Sequence, residues 1–242
     1  MTKSCRVRQM VARLTAILLV GALASLLGTH PAHATTSTLA ITATVNNLGV
    51  IDITVPDANG NPVHYPQAYA GSIVPSFLDG TALPFLYCVD VLNDIYIPTP
   101  NSHSTATGYS TNVTFDGKVH GNYVNHATQV AWLLDRYASE VLNDKTKSAA
   151  LQAAIWEVIY GGQFTLNNAQ NSTVYTLYNG YFSSAAGQST SIENYAWLSP
   201  IDNSNGHRMQ GLVTRVPEPG STLLLALALS GLCGFGWWRR MR

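Results

Sequence analysis

The chain has 242 residues, of which only 11% are charged, and its formal net charge is zero. Proteins that bind nucleic acids by electrostatics carry a basic surplus, so we expect no nucleic-acid partner. Segments with the features of processing signals occupy both ends, and the residues between them are enough for about one domain.

The first 34 residues have the pattern of a signal peptide. Lys3 and three arginines precede an apolar run, residues 14–27, which is short for a membrane span. Ala32-His33-Ala34 then fits a small-x-small cleavage site. We predict cleavage after Ala34 and export of the rest of the chain, with an uncleaved N-terminal anchor as the alternative.

Residues 35–215 form the predicted exported domain, and it begins with strands. Residues 38–55 are rich in Thr, Val and Ile and predict two strands around a turn at Asn46-Asn47. A turn at residues 56–60 leads to a weaker strand or loop at 63–73. Residues 85–91, aromatic and β-branched, predict another strand.

The second half of the domain predicts helices. Residues 122–142 and 151–160 carry apolar side chains at helical spacing and should form a hairpin against the strands. Ser148 is the expected N-cap of the second helix, and Gly161-Gly162 is its expected end. The other expectations are a long loop at 93–112, a helix or strand at 173–182, a flexible segment at 183–191, an apolar run at 195–198 and a last strand at 207–215. The predicted fold class is therefore α+β, with a strand-rich sandwich or barrel-like part and a helical hairpin.

The C-terminal end predicts a membrane helix. The uncharged apolar stretch 221–238 ends in two tryptophans, and a basic cluster of Arg239, Arg240 and Arg242 follows it. An apolar span with a basic tail keeps that tail in the cytoplasm. Residues 35–215 would then face the other side of the membrane.

Residues 216–242 carry a recognisable order of features: Val216-Pro217-Glu218-Pro219, the apolar span, and the arginine cluster. This order resembles the PEP-CTERM sorting signal of Gram-negative bacteria. The resemblance implies an exosortase-type processing enzyme as a partner and the cell surface or extracellular matrix as the final location. An ordinary single-pass anchor is the alternative.

After processing, Cys88 would be the one cysteine left, since Cys5 lies in the signal segment and Cys233 in the predicted span. Exported proteins usually pair their cysteines. A lone cysteine can be a small buried hydrophobe, can form an intermolecular disulfide, or can serve chemistry at sulfur. The sequence alone does not decide among these three roles.

The helix at 151–160 contains an amide near an apolar face. Gln152 and Trp156 are one turn apart, so their side chains can share that face. An amide in such a position needs a polar partner, and we propose the sulfur of Cys88. Gln129 is a rival glutamine, but it lacks the spacing to a tryptophan found at Gln152.

Two elements together carry a second resemblance: Cys88 in Phe85-Leu86-Tyr87-Cys88-Val89, and the later Leu151-Gln152-Ala153-Ala154-Ile155-Trp156. They are similar to the thioester domains of bacterial surface adhesins. The resemblance implies that the Cys88 sulfur attacks the Gln152 amide and that ammonia leaves, with Trp156 as a supporting aromatic. The acyl group would then pass to an amine or hydroxyl of a surface or matrix polymer, which would fix the protein covalently.

Other polar residues give weaker signals. The histidines at 64, 103, 120, 126 and 207 are scattered, and we expect no metal, no cofactor and no enzymatic turnover. Asp90 and Asp94 could orient groups near Cys88 or could be solvated turn residues. The alternative function is a passive structural or matrix-associated exported protein with an inert buried cysteine. A hydrolase would need a polar group poised beside Cys88, and the sequence has no such signature.

Overall fold

A computed structural model describes residues 35–98 and 107–216 of the chain. The predicted signal peptide and cleavage site, the sorting residues from Pro217 onward, the predicted span 221–238, the arginine cluster and His103 lie outside the described residues. Within the described residues, no helix combines the length and the apolar character needed to cross a membrane.

Strands and helices both contribute to the domain, so the fold class is α+β. The strands are β1 (Thr35–Ile41), β2 (Gly49–Pro56), β3 (Pro62–Ala70), β4 (Ser76–Leu78), β5 (Thr81–Ala82), β6 (Tyr87–Cys88), β7 (Thr107–Thr114), β8 (Lys118–Val119), β9 (Asn122–Tyr123), β10 (Thr165–Leu166), β11 (Tyr195–Ile201) and β12 (Leu212–Arg215). The helices are α1 (Ala127–Val141), α2 (Lys145–Tyr160) and α3 (Thr173–Ala185).

The largest sheet has seven strands in the order β5-β4-β1-β7-β11-β12-β6. A second sheet has the order β10-β2-β3, and β8 pairs with β9 in a small hairpin. The strand that carries Cys88, β6, is an edge strand of the large sheet and pairs antiparallel with β12 alone. One side of Cys88 is therefore free of strand partners.

The two strands predicted within residues 38–55 are confirmed as β1 and β2, with a 3-10 turn at Val45–Asn47 between them. They do not pair with each other, because β1 joins the large sheet and β2 joins the three-stranded one. The segment 63–73 is largely strand, as β3. The strand predicted at 85–91 is shorter than expected, since only Tyr87–Cys88 are paired as a strand.

The long loop predicted at 93–112 is wrong from residue 107 onward, where β7 begins. β7 is a central strand between β1 and β11. Its Ser, Thr and Asn content favours a loop, but Tyr109, Thr111 and Val113 alternate toward the interior and are buried. Burial at every second residue is the pattern of a strand with one face on the core, and it outweighs the local propensity.

The helical hairpin is confirmed, although both helices differ from prediction at their N-terminal ends. Residues 122–123 form β9, and α1 starts at Ala127. The N-cap of α2 is Asp144, whose carboxylate accepts from the Lys147 N–H, so the expected cap at Ser148 is wrong. The helix ends at Gly161 as predicted. The region 173–182 is resolved as helix α3.

Helix α2 is the buried centre of the domain: it packs against α1, α3, β2 and β3. Residues 148–156 are all buried, including the polar Ser148 and Gln152. Gly49 of β2 makes close approach possible, because a Cβ there would lie 2.7 Å from the Ala149 Cβ and 2.8 Å from the Lys145 carbonyl oxygen. This close packing fixes α2 relative to the strands on which the site is built.

Candidate functional site

The site is centred on Cys88, which is held at the backbone by Gln152. The Cys88 N–H donates to the Gln152 Oε1 at 2.9 Å, and the Gln152 Nε2 donates to the Cys88 carbonyl oxygen at 2.7 Å. A side-chain amide has the same donor and acceptor as a peptide group, so Gln152 occupies the place of a neighbouring strand at the free edge of β6. Gln152 is fully buried, and both of its polar atoms are satisfied by Cys88.

Gln152 belongs to a stripe of polar atoms at four-residue spacing along α2, which we call the α2 stripe: Ser148, Gln152, Trp156 and Tyr160. The Ser148 Oγ lies 3.0 Å from the Tyr87 hydroxyl, and the Tyr160 hydroxyl accepts from the Val91 N–H at 3.1 Å. Residues four apart lie on one helix face, so Ser148, Gln152 and Tyr160 can all hydrogen-bond to the segment around Cys88. Trp156 is the exception, since its buried Nε1–H has no hydrogen-bond partner.

The sulfur of Cys88 contacts a different glutamine. The Cys88 Sγ–H donates to the Gln210 Oε1 at 2.9 Å. The Gln210 Nε2 donates to the Asp90 carbonyl oxygen at 2.6 Å, and its backbone N–H donates to the Asp94 carbonyl oxygen at 3.1 Å. The Gln210 amide is thus held at oxygen, at nitrogen and through its own backbone, with its carbonyl group against the sulfur.

Burial raises the pKa of the Cys88 thiol well above its ordinary value of 9.0, and the nearby Asp90 carboxylate raises it further. The thiol is therefore protonated at neutral pH. A thiol attacks as the thiolate, so any reaction at this sulfur has to remove the proton as the bond forms. Asp90 is itself buried, and its carboxylate accepts from the Leu92 N–H and the Asn93 side chain.

A cavity of about 450 Å³ opens beside these groups. Cys88, Gln152, Trp156 and Gln210 all contribute to its wall, so the thiol and both amides border the same space. Such a volume lies within the range of small-molecule sites. The cavity gives a second reactant a place next to Cys88.

The structure places the other candidate residues elsewhere. The Gln129 Nε2 donates to the Ala185 carbonyl oxygen at the end of α3, so this rival glutamine is hydrogen-bonded to α3 and not to Cys88. The His64 ring lies 2.7 Å from Asp52, and the His120 ring lies 2.7 Å from the Met209 carbonyl oxygen. His126 occupies the N-cap position of α1. Among the described residues, no three or more His, Cys, Asp or Glu side chains cluster in a way that could hold a metal ion.

Gln210 is the residue that sequence reasoning missed. It precedes β12, and the pairing of β12 with β6 is what carries it to Cys88. The two residues are 122 positions apart, and no local motif connects them. The one available signal is a glutamine two residues before an apolar strand, which is too common to single out a site.

Comparison with known proteins identifies the C-terminal end. Residues 215–240 match the PEP-CTERM protein-sorting motif. The match implies that the chain is exported and sorted to the cell surface with an exosortase as processing partner. Of this motif only the first residues are described: Val216, half-buried, donates its N–H to the Asn194 carbonyl oxygen. No curated protein and no solved structure matches the chain.

Proposed function

We propose that this exported, surface-sorted protein forms an internal thioester at Cys88 and uses it to attach covalently to a surface or matrix polymer. The geometry favours the side-chain amide of Gln210 as the acyl donor. Gln152, the donor predicted from the sequence, remains the second candidate because it also contacts Cys88. Trp156 keeps its predicted supporting role on the wall of the same cavity.

The observation that carries this proposal is the 2.9 Å contact between the Cys88 Sγ and the Gln210 Oε1. That oxygen is bonded to the carbon that the sulfur would attack. Reactions between groups held in contact gain a large effective concentration, which a poor acyl donor such as a primary amide requires. Gln152, by contrast, directs its amide at the backbone of Cys88 in two hydrogen bonds.

The reaction conserves atoms without a further reagent. The sulfur adds to the side-chain carbonyl carbon, the C–N bond breaks, and the thiol proton leaves with the amide nitrogen as ammonia. The Asp90 carbonyl oxygen holds that nitrogen beforehand, which orients the leaving group. Apolar surroundings such as Leu86 and Ile155, both fully buried, would limit hydrolysis of the product.

Methylamine trapping of the purified full chain tests the proposal. Methylamine attacks a thioester carbonyl, leaves an N-methylamide on the glutamine that supplied the acyl group, and returns the Cys88 thiol. Peptide mass spectrometry should place the N-methyl group on Gln210. The Cys88→Ala variant is the control, and it should incorporate no methylamine.

Two results would correct the proposal in different ways. An adduct on Gln152 would retain the thioester and reassign its donor. No adduct, together with a thiol that is alkylated once the chain is unfolded, would remove the covalent mechanism.

The second candidate function is a passive structural or matrix-associated protein with an inert cysteine. It is favoured by the 7% exposure of Cys88 and by the hydrogen bond that satisfies its thiol. In that case the same contacts would serve only the packing of β6. The alkylation result described above separates the two functions.

A further inference from the structure

We propose that the cavity beside Cys88 binds a sugar unit of a neutral polysaccharide and that a hydroxyl of this sugar is the acceptor of the acyl group. This inference rests on the proposed thioester for its covalent step. The binding step stands on the cavity alone and can be tested without the thioester.

Exposed tyrosines border the cavity. Tyr65 and Tyr69 of β3 and Tyr96 of the segment after β6 all contribute to its wall, and each is about half exposed, at 46%, 54% and 51%. Tyr96 is held in place because its backbone N–H and carbonyl oxygen both bond to the Tyr109 hydroxyl. Large aromatic side chains left in water cost free energy unless a ligand covers them, so this grouping indicates a binding surface.

The chemistry of the wall favours a neutral, polyhydroxylated ligand. Asp94 is the one side chain with a formal charge among the described wall residues, and no Lys, Arg or His accompanies it. A polyanion would meet a carboxylate with no compensating cation. A sugar ring presents C–H groups that suit the negative face of a tyrosine ring, and its hydroxyls suit tyrosine hydroxyls, the Gln67 amide and Asp94.

Trp156 lies deeper in the same wall. It is only 3% exposed, and its Nε1–H has no partner but is itself fully buried. The Nε1–H of Trp197, which does not line the cavity, is also buried without a partner, so this feature does not identify a ligand by itself. The side chains that a sugar would contact are therefore the exposed tyrosines and the polar groups of the wall.

Transfer to the sugar is balanced in the same way as thioester formation. The sugar oxygen adds to the thioester carbonyl carbon, the C–S bond breaks, and the hydroxyl proton passes to the Cys88 sulfur. The raised pKa of that thiol keeps the released sulfur protonated at neutral pH. The product is an ester between the sugar and the glutamine side chain, with the thiol restored.

Affinity electrophoresis of the full-chain Cys88→Ala variant tests the binding step, because this variant cannot form a thioester. Gels containing dextran or galactomannan, both neutral polysaccharides, should retard it. Replacing Tyr65, Tyr69 and Tyr96 together by alanine should weaken the retardation at least about tenfold. Tyr123→Ala is the matched control: Tyr123 is 71% exposed and lies outside the cavity, so its loss should leave retardation unchanged.

The covalent step is then tested with the wild-type chain. At equal molar concentrations of glucose units and Nα-acetyl-lysine, dextran should be linked faster than the lysine derivative, through a bond that hydroxylamine cleaves. Absence of retardation by both polysaccharides, or equal retardation of the triple tyrosine variant, would overturn the sugar site even if methylamine trapping succeeds. Preferential incorporation of the lysine derivative would identify a protein amine as acceptor and overturn it as well.

Discussion

Helix α2 and the segment before β12 each bring a glutamine amide to Cys88, but the two amides contact different atoms. Gln152 is fully buried and bonds only to the Cys88 backbone, whereas Gln210 is half-buried and contacts the sulfur. An amide that completes a sheet edge stabilises the fold. An amide that lies against a nucleophile can react. The difference shows that proximity of a glutamine to a cysteine does not define a reactive pair until the atoms in contact are known.

The largest effect on stability is expected from replacing Gln152 of α2. Gln152→Leu leaves the buried N–H and carbonyl oxygen of Cys88 without partners, which should lower the free energy of unfolding by about 3 kcal/mol. Urea denaturation of the full chain measures this. Gln67→Leu is the control, because Gln67 is exposed and its replacement should change little. A loss below about 1 kcal/mol for Gln152→Leu would contradict a structural role.

A smaller effect is expected one turn earlier in the α2 stripe. Ser148→Ala removes the acceptor of the Ser72 N–H, at 2.8 Å, and the partner of the Tyr87 hydroxyl. The free energy of unfolding should fall by about 2 kcal/mol, measured by the same urea titration. The exposed Ser183 of α3 offers the matched control, since Ser183→Ala should stay within about 0.5 kcal/mol of wild type. Equal effects of the two substitutions would show that the stripe does not hold the Cys88 segment.

The pH dependence of the free energy of unfolding distinguishes a free Cys88 thiol from a thioester. Burial raises the pKa of the folded Cys88 thiol, so above about pH 9 the unfolded chain loses this proton while the folded chain keeps it. A free thiol therefore contributes stability that is constant below that pH and declines above it, by up to about 1.4 kcal/mol per pH unit. The measurement is the free energy of unfolding of wild type minus that of Cys88→Ala, determined by urea denaturation between pH 7 and 10.

The subtraction removes the contribution of the buried tyrosines, which the two chains share. A thioester sulfur does not titrate, so the proposed function predicts a flat difference in the untreated protein. After methylamine treatment the thiol returns, and the decline should appear. A decline in the untreated protein would show that its thiol is free.

The smallest effect is expected from removing the Gln210 side chain. The reference is wild-type protein whose Cys88 is a free thiol, either as purified or after methylamine treatment. Relative to it, Gln210→Ala loses the half-buried contacts to the Cys88 sulfur and the Asp90 carbonyl oxygen, which together should lower the free energy of unfolding by about 1 kcal/mol. The melting temperature should fall by a few degrees or less. By contrast, Gln210→Ala should abolish the incorporation of methylamine. A stability loss as large as that of Gln152→Leu would mean that both glutamines are structural.

Much of the fold could be predicted from local patterns. The β-branched runs gave β1 and β2, and the apolar spacing of residues 151–160 gave α2, since both signals arise within a single element. The central strand β7 was hidden because its polar composition favours a loop, while its burial depends on β1 and β11. Serine is common at N-caps, so the sequence predicts Ser148 as a cap, but in the fold Ser148 is buried and its Oγ accepts from the Ser72 N–H.

The candidate site could be predicted only in part. Cys88, Gln152 and Trp156 stand out by residue type and spacing, and they do line one cavity. Which atoms of Cys88 meet which amide depends on the β6–β12 register, in which Cys88 faces Leu212. Gln210 could not be found from the sequence, because its position comes from sheet pairing across more than a hundred residues. The same holds for the tyrosines, whose common position emerges only when β3 and the Tyr96 segment meet.

The position of Gln210 next to β12 has a mechanical consequence. If a target is joined at Gln210 and the chain is held by its C-terminal end, the tension runs, within the described residues, through the covalent backbone from Gln210 through β12 to Val216. Because β12 is already extended, pulling would load this backbone and not the helices, and the linkage would outlast unfolding of the domain. A bond at Gln152 would instead place α2, α3 and β11 in the line of force. Single-molecule stretching distinguishes the two, because the second arrangement releases the additional length of residues 152–210 before it becomes taut.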